Sequence, residues 1–86
     1  NISKLKYLKV LDCSSNSISE LITSKNHSLN ILKCNDNKIK ELDIYNNDSI
    51  RDVICYQNPE LKKMIINKRS IYTQFSLDSI CETIYK

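Results

Sequence analysis

Glycine, alanine and tryptophan are absent from these 86 residues, proline and histidine occur once each, and no aliphatic run exceeds three residues. Without glycine the chain cannot build the glycine-rich loops that cradle phosphates, which need backbone able to approach a ligand closely. A membrane-spanning helix takes about 20 consecutive apolar residues, far more than any segment here offers. Charge of one sign is also missing: 13 basic and 10 acidic residues are scattered through each other, for a net +3. That balance is too weak and too mixed to argue for nucleic acid. No secretory-signal pattern opens the chain, which starts at Asn1. A start without Met leads us to expect a piece of something longer. In size the chain is one small domain at most. What it has in plenty is Ile (13), Lys (11), Ser (11) and Asn (10), together 45 residues.

Four cysteines in so short a chain invite a disulfide or zinc reading, so their spacing is tested first. Cys13, Cys34 and Cys55 stand 21 residues apart, and none has a second Cys or His two to five positions away. A zinc site needs such close pairs. The spacing marks a period instead. Leu8, Leu29 and Ile50 share it, as do Leu11, Leu32 and Val53, and Asn16, Asn37 and Asn58. The blocks LKVLDCSSN (8–16), LNILKCNDN (29–37) and IRDVICYQN (50–58) all read L-x-x-L-x-C-x-x-N in type. Weaker copies lie between them: ISELITSKN (18–26), IKELDIYNN (39–47) and LKKMIINKR (61–69), the last with Arg69 where Asn is expected. The Asn positions run 16, 26, 37, 47 and 58, so the step is about half of 21.

This pattern resembles the leucine-rich repeat superfamily, and within it the short 21-residue class of two nested units. The likeness covers about Leu8 to Arg69. Two departures stand out. The third repeat reads NPEL (58–61), which displaces the following apolar residues by one, and the pattern fades after Arg69. The resemblance implies an α/β-class repeat solenoid, with short parallel β-strands stacked into a curved sheet and an irregular or second-strand outer side. Residues 1–69 then form about three 21-residue coils, each of two nested units.

In such a coil the L-x-C or L-x-I segment is a short strand whose alternate residues point inward. Inward fall Leu8, Leu11, Cys13, Ile18, Leu21 and Thr23, then Leu29, Leu32, Cys34, Ile39, Leu42 and Ile44, then Ile50, Val53, Cys55, Leu61, Met64 and Ile66. Cysteine acts there as a small hydrophobe. Strands about 4.8 Å apart do not exclude a disulfide on distance alone. Three thiols in one column would leave one unpaired, however, and an apolar column favours inert thiols. Reduced, buried cysteines suit an intracellular, cytoplasmic setting. The Asn at each turn satisfies backbone groups that the turn leaves unpaired. His27 reads as a solvated turn residue. Asn26-His-Ser and Asn47-Asp-Ser fit the glycosylation pattern, but their amides belong to the ladder.

The outward residues of the odd units form a grid of Val10, Asp12 and Ser14, then Ile31, Lys33 and Asn35, then Asp52, Ile54 and Tyr56. Apolar anchors ringed by charge are what protein-binding faces offer, although β-branched residues suit any strand. The even units give a second grid of Glu20, Ile22 and Ser24; Glu41, Asp43 and Tyr45; Lys63, Ile65 and Asn67. Its basic group Lys62, Lys63, Lys68 and Arg69 reads as a solvated edge rather than a nucleic-acid site.

Residues 70–86 are expected to cap the open end of the stack. Leu77, Ile80, Cys81 and Ile84 recur at helical spacing, with Ser76 or Asp78 as N-cap and Phe75 at the joint over Met64, Ile66 and Ile71. At the other end Leu5 to Leu11 lie uncapped, so more repeats or self-association there are expected. The functional expectation is a non-enzymatic module that binds a protein partner through the odd-unit grid. It needs no cofactor or metal and engages neither nucleic acid nor membrane. The alternatives are a structural spacer or self-assembly segment, or the recognition arm of a multidomain enzyme such as a ubiquitin-ligase subunit. No nucleophile with an oriented base stands out.

Overall fold

The computed structural model describes residues 4–69, 73–77 and 82–86. Along the chain run β1 (Val10–Asp12), β2 (Ile31–Lys33), β3 (Glu41–Asp43), β4 (Asp52–Ile54), β5 (Lys63–Ile66), β6 (Gln74–Ser76) and β7 (Glu82–Tyr85). All pairings are parallel. β1, β2, β4 and β6 form one sheet in that order (sheet A), and β3, β5 and β7 form the other (sheet B). The chain is a β-solenoid of about three turns. Second strands thus occupy the side opposite sheet A.

The register follows the sequence period in the first two coils and departs from it beyond them. Leu11 pairs with Leu32 and Leu32 with Val53, both steps of 21. Past Pro59 the step becomes 22, with Leu42 paired to Met64 and Val53 to Phe75, and the last pairing of sheet B steps by 19, from Met64 to Thr83. The same backbone bonds recur from coil to coil. The N–H of Cys13 donates to Lys33 O (2.8 Å), that of Cys34 to Ile54 O (2.8 Å) and that of Cys55 to Ser76 O (3.0 Å).

The core cluster consists of Leu29, Leu32, Cys34, Ile39, Leu42, Ile44, Ile50, Val53, Cys55, Leu61, Met64 and Ile66. These are the inward positions of the second and third coils. The corresponding residues of the first coil, Leu8, Leu11, Cys13, Ile18 and Leu21, pack against the cluster but stay partly exposed. Thr23 is buried where the later coils carry Ile44 and Ile66, because its hydroxyl donates to Asn47 Oδ1 (2.8 Å).

Asparagines join the coils. Asn37 Nδ2 donates to the carbonyls of Cys13 (3.1 Å) and Cys34 (3.0 Å), and its Oδ1 accepts from the N–H of Ile18 (3.1 Å). Asn58 repeats this one coil on, with Cys34 O (3.0 Å), Cys55 O (3.1 Å) and the N–H of Ile39 (3.1 Å). On the other side Asn47 Nδ2 holds Thr23 O and Asn26 O, each at 2.9 Å. The turns ahead of these residues force Ser15, Asp36 and Gln57 into the left-handed region, with φ of 58°, 60° and 56°. The chain has no glycine to put there, and a non-glycine residue in that region costs about 1–2 kcal/mol.

One expectation is corrected. The C-terminal segment is not a helix, and no described residue is helical, so the fold is all-strand rather than α/β. Gln74–Ser76 and Glu82–Tyr85 add rungs to the two sheets instead, placing Ser76 in a strand and not at an N-cap. The physical reason is the open ladder that the third coil presents. Its unpaired N–H and C=O groups capture any extended segment, whereas an isolated helix of about ten residues is marginal. Phe75, Thr83, Ile84 and Tyr85 are strand formers that suit this role. The readings placed on Ile71, Asp78, Ile80 and Cys81 lie outside the described residues.

Between the irregular and second-strand alternatives for the outer side, the first coil takes the irregular one: residues 18–24 form no strand. The 21-residue register would set Glu20 opposite Glu41, and like charges directly opposite destabilise a pairing. Sheet B therefore begins one coil later than sheet A.

Candidate functional site

Sheet A builds the grid that the repeat phase predicts. Parallel pairing aligns Val10 with Ile31 and Asp52, and Asp12 with Lys33 and Ile54. The bonds Ser15 N–H to Asn35 O and Asp36 N–H to Tyr56 O, both 3.0 Å, bring Ser14, Asn35 and Tyr56 into a third row. Neighbours in each row are thus about one strand spacing apart, close to 4.8 Å. Val10 is 51% exposed and Tyr56 39%. Ile31 and Ile54 are half-buried, as are Lys33, Asn35, Asp52 and Ser14, while Asp12 is exposed. All nine candidate residues lie on this one face.

Within the grid Asp12 and Ser14 are locked together. The Ser14 hydroxyl donates to Asp12 Oδ1 at 2.6 Å and the Ser14 N–H donates to the same oxygen at 3.1 Å. The hydroxyl foremost, then the N–H, and last the charge of Lys33 hold the Asp12 carboxyl below its ordinary value, against a smaller opposing effect of desolvation. A carboxylate so held is a fixed negative point and a weak base. In the next coil Asn35 Nδ2 donates to Asp36 Oδ2 (2.9 Å). The face therefore presents Val10 and Ile31 side by side, Ile54 and Tyr56 along one strand, and Lys33 with Asp12 between the two apolar pairs.

The structure extends the grid beyond its predicted limit. β6 adds Gln74 beside Asp52 and Ser76 beside Ile54, both exposed. Sequence reasoning missed them because the step was kept at 21. Counting 22 from Val53 reaches Phe75, a signal already present in the NPEL insertion.

The second grid is less regular. Lys63 Nζ lies 3.5 Å from Glu41 Oε1, and Arg69 reaches Asp48 Oδ1 at 3.5 Å. Ile65 is 9% exposed although it is no member of the core cluster, since Asp43 and Ile84 flank it on both sides. Asn67, expected outward, is buried and donates to Tyr45 O (3.2 Å) and Asp48 Oδ1 (3.1 Å). It supplies the amide that Arg69 cannot. Ile22 is 61% exposed on the segment that forms no strand.

His27 lies exposed on its turn, with Nδ1 3.1 Å from the carbonyl of Asn46. Cys34 and Cys55 are buried and unbridged, and Cys13 is half-buried and unbridged. The neighbouring Cys55 thiol and burial push the Cys34 thiol far above its ordinary value, and burial chiefly raises Cys13. Thiols held protonated in this way are poor nucleophiles and poor ligands. Among the described residues no three His, Cys, Asp or Glu side chains converge on a common point where a metal ion could sit.

Compared with protein-family models, with curated proteins and with solved structures, the chain matches none of them.

Proposed function

We propose that this chain is a leucine-rich-repeat-type module that acts without catalysis, binding a protein partner across the outer face of sheet A. One observation carries the reading: the register sets Val10, Ile31, Ile54 and Tyr56 around the fixed Asp12 and Lys33 charges on a single exposed face. Partly exposed apolar and aromatic side chains ringed by polar groups supply the desolvated anchors of protein interfaces. The protonated thiols and the weakly basic Asp12 favour a binding role over a chemical one. Reduced, buried cysteines favour an intracellular site of action.

The test is a pull-down with the folded chain. Wild type is compared with Asp12→Ala/Ile54→Ala/Tyr56→Ala and, as the opposite-face control, with Ile22→Ala/Tyr45→Ala. The reading expects one protein held by wild type and the control and lost by the sheet A variant, a drop of at least about tenfold in affinity. Equal retention by all three overturns it.

A further inference from the structure

The two ends of the solenoid differ in what they leave open. At the N-terminal end Leu8, Leu11, Cys13, Ile18 and Leu21 keep part of their surface exposed, whereas their counterparts one coil on, Leu29, Leu32, Cys34, Ile39 and Leu42, are at most 1% exposed. Leu5, Val10 and Ile22 add 50%, 51% and 61% exposed side chains to that end. Its ladder residue is unfinished as well. Asn16 Nδ2 donates only within its own coil, to Cys13 O (2.9 Å) and Ser14 O (3.0 Å). The equivalent Asn37 and Asn58 also reach the preceding coil, taking a carbonyl from it and receiving an N–H from it.

At the C-terminal end β6 and β7 are the outermost strands of their sheets. They run in the same direction as the rest of the ladder and keep its phase, so they offer the kind of edge that β1 lacks on its open side. Carrying the register across sets Val10 beside Gln74, Leu11 beside Phe75 and Asp12 beside Ser76. The Leu77 carbonyl takes the place that Cys13 O holds for Asn37. On the other side Ile22 falls beside Ile84 and prolongs the Asp43, Ile65, Ile84 column.

We infer that copies of this chain stack head to tail, with β1 of one molecule adding in parallel to β6 of the next. Charge argues against the symmetric alternative. A head-to-head contact would crowd the exposed Lys4, Lys6 and Lys9 of both molecules together, and it would present antiparallel edges to an amide ladder built for parallel ones. The head-to-tail contact is heterologous and does not close on itself, so it builds open chains. Stacking leaves the outer face of sheet A free and lengthens it, so the inference stands independently of the proposed partner.

The experiment uses the full chain. Sedimentation equilibrium over rising concentration is expected to show an average mass that climbs past the dimer without a plateau. A short bis-maleimide applied to a mixture of Asp12→Cys and Ser76→Cys chains, both in a Cys13→Ser/Cys81→Ser background, is expected to link the two variants to each other beyond the level either gives alone. Both positions are exposed, and circular dichroism confirms that each variant folds. Val10→Cys with Gln74→Cys repeats the test two residues away along the same strands. Links between two Asp12→Cys chains, links between two Ser76→Cys chains, a plateau at the dimer, or a monomer at every concentration would each overturn the inference.

Discussion

Replacing Asn37 by alanine should severely damage the stack, and the rung provides its own control. Asn37 is 4% exposed, and its amide serves Cys13 O, Cys34 O, Asn35 O and the N–H of Ile18, at 3.0–3.1 Å. Two N–H hydrogens are shared among three carbonyls, so the variant strands two carbonyl bonds and one N–H. Each buried backbone group left without a partner costs about 1–3 kcal/mol. Since Asn35 O and Ile18 are only part-buried, a total of about 3–5 kcal/mol follows from the same range. A domain of 86 residues has about 4–13 kcal/mol to lose, so Asn37→Ala should remove a large part of its stability. Asn16 occupies the same rung one coil earlier, is exposed, and bonds only Cys13 O and Ser14 O. Its replacement by alanine should cost about 1 kcal/mol or less. Urea unfolding followed by far-ultraviolet circular dichroism measures both, with equal m-values required for the comparison. Equal losses for the two variants would refute the claim that the ladder works by joining coils. Asn37→Asp keeps the acceptor but turns an anion toward carbonyls, so it should do no better than alanine at neutral pH.

Three further outcomes follow from the same structure. In a Cys81→Ser background, a soluble thiol reagent should modify Cys13 well before Cys34 or Cys55, as read by mass spectrometry under native conditions. The Cys34 thiol is raised in the folded chain, so the folded state keeps its proton after the unfolded chain has lost it; stability linked to it is full below about pH 8.5 and falls as pH rises beyond that. Wild type should therefore lose its advantage over Cys34→Ala in alkaline urea titrations, and a pH-independent difference would contradict the placement of that thiol. The Asp12 carboxyl should titrate below the ordinary aspartate value by nuclear magnetic resonance and move back up in Ser14→Ala, the Ser14 hydroxyl being the leading cause of its shift. Ser15→Asn should raise stability by about 0.5 kcal/mol, because Asn tolerates the left-handed backbone that Ser15 adopts at φ 58°; a loss of similar size would show that the turn is held by something other than its dihedral.

The repeat was legible because period and chemistry coincide in it. Apolar residues every 21 positions define the inward face, Cys13, Cys34 and Cys55 mark one column, and asparagines mark the turns. That phase alone gathers the nine grid residues on one side of sheet A. It failed where a local pattern competed with an open edge. Leu77 and Ile84 sit at helical spacing, but hydrogen-bonding groups left free by β4 and β5 decide the outcome, and no local periodicity carries that information. Asn67 was read as outward because its position in the coil says so. Its amide folds in because Arg69 occupies the ladder position and cannot serve both Tyr45 O and Asp48. The missing strand at residues 18–24 has a cause visible only across coils, the Glu20 and Glu41 juxtaposition. The left-handed turns at Ser15, Asp36 and Gln57 gave no signal, since glycine, the usual marker, is absent.

The most direct test of the binding claim places a benzophenone side chain, one position at a time, at Val10, Lys33, Ile54 and Tyr56 on sheet A and at Glu41 and Tyr45 on sheet B. After irradiation in lysate, covalent products are mapped by mass spectrometry. The account predicts that the sheet A positions link to one and the same partner protein and the sheet B positions do not. Products from sheet B alone, or equal products from both faces, would contradict it.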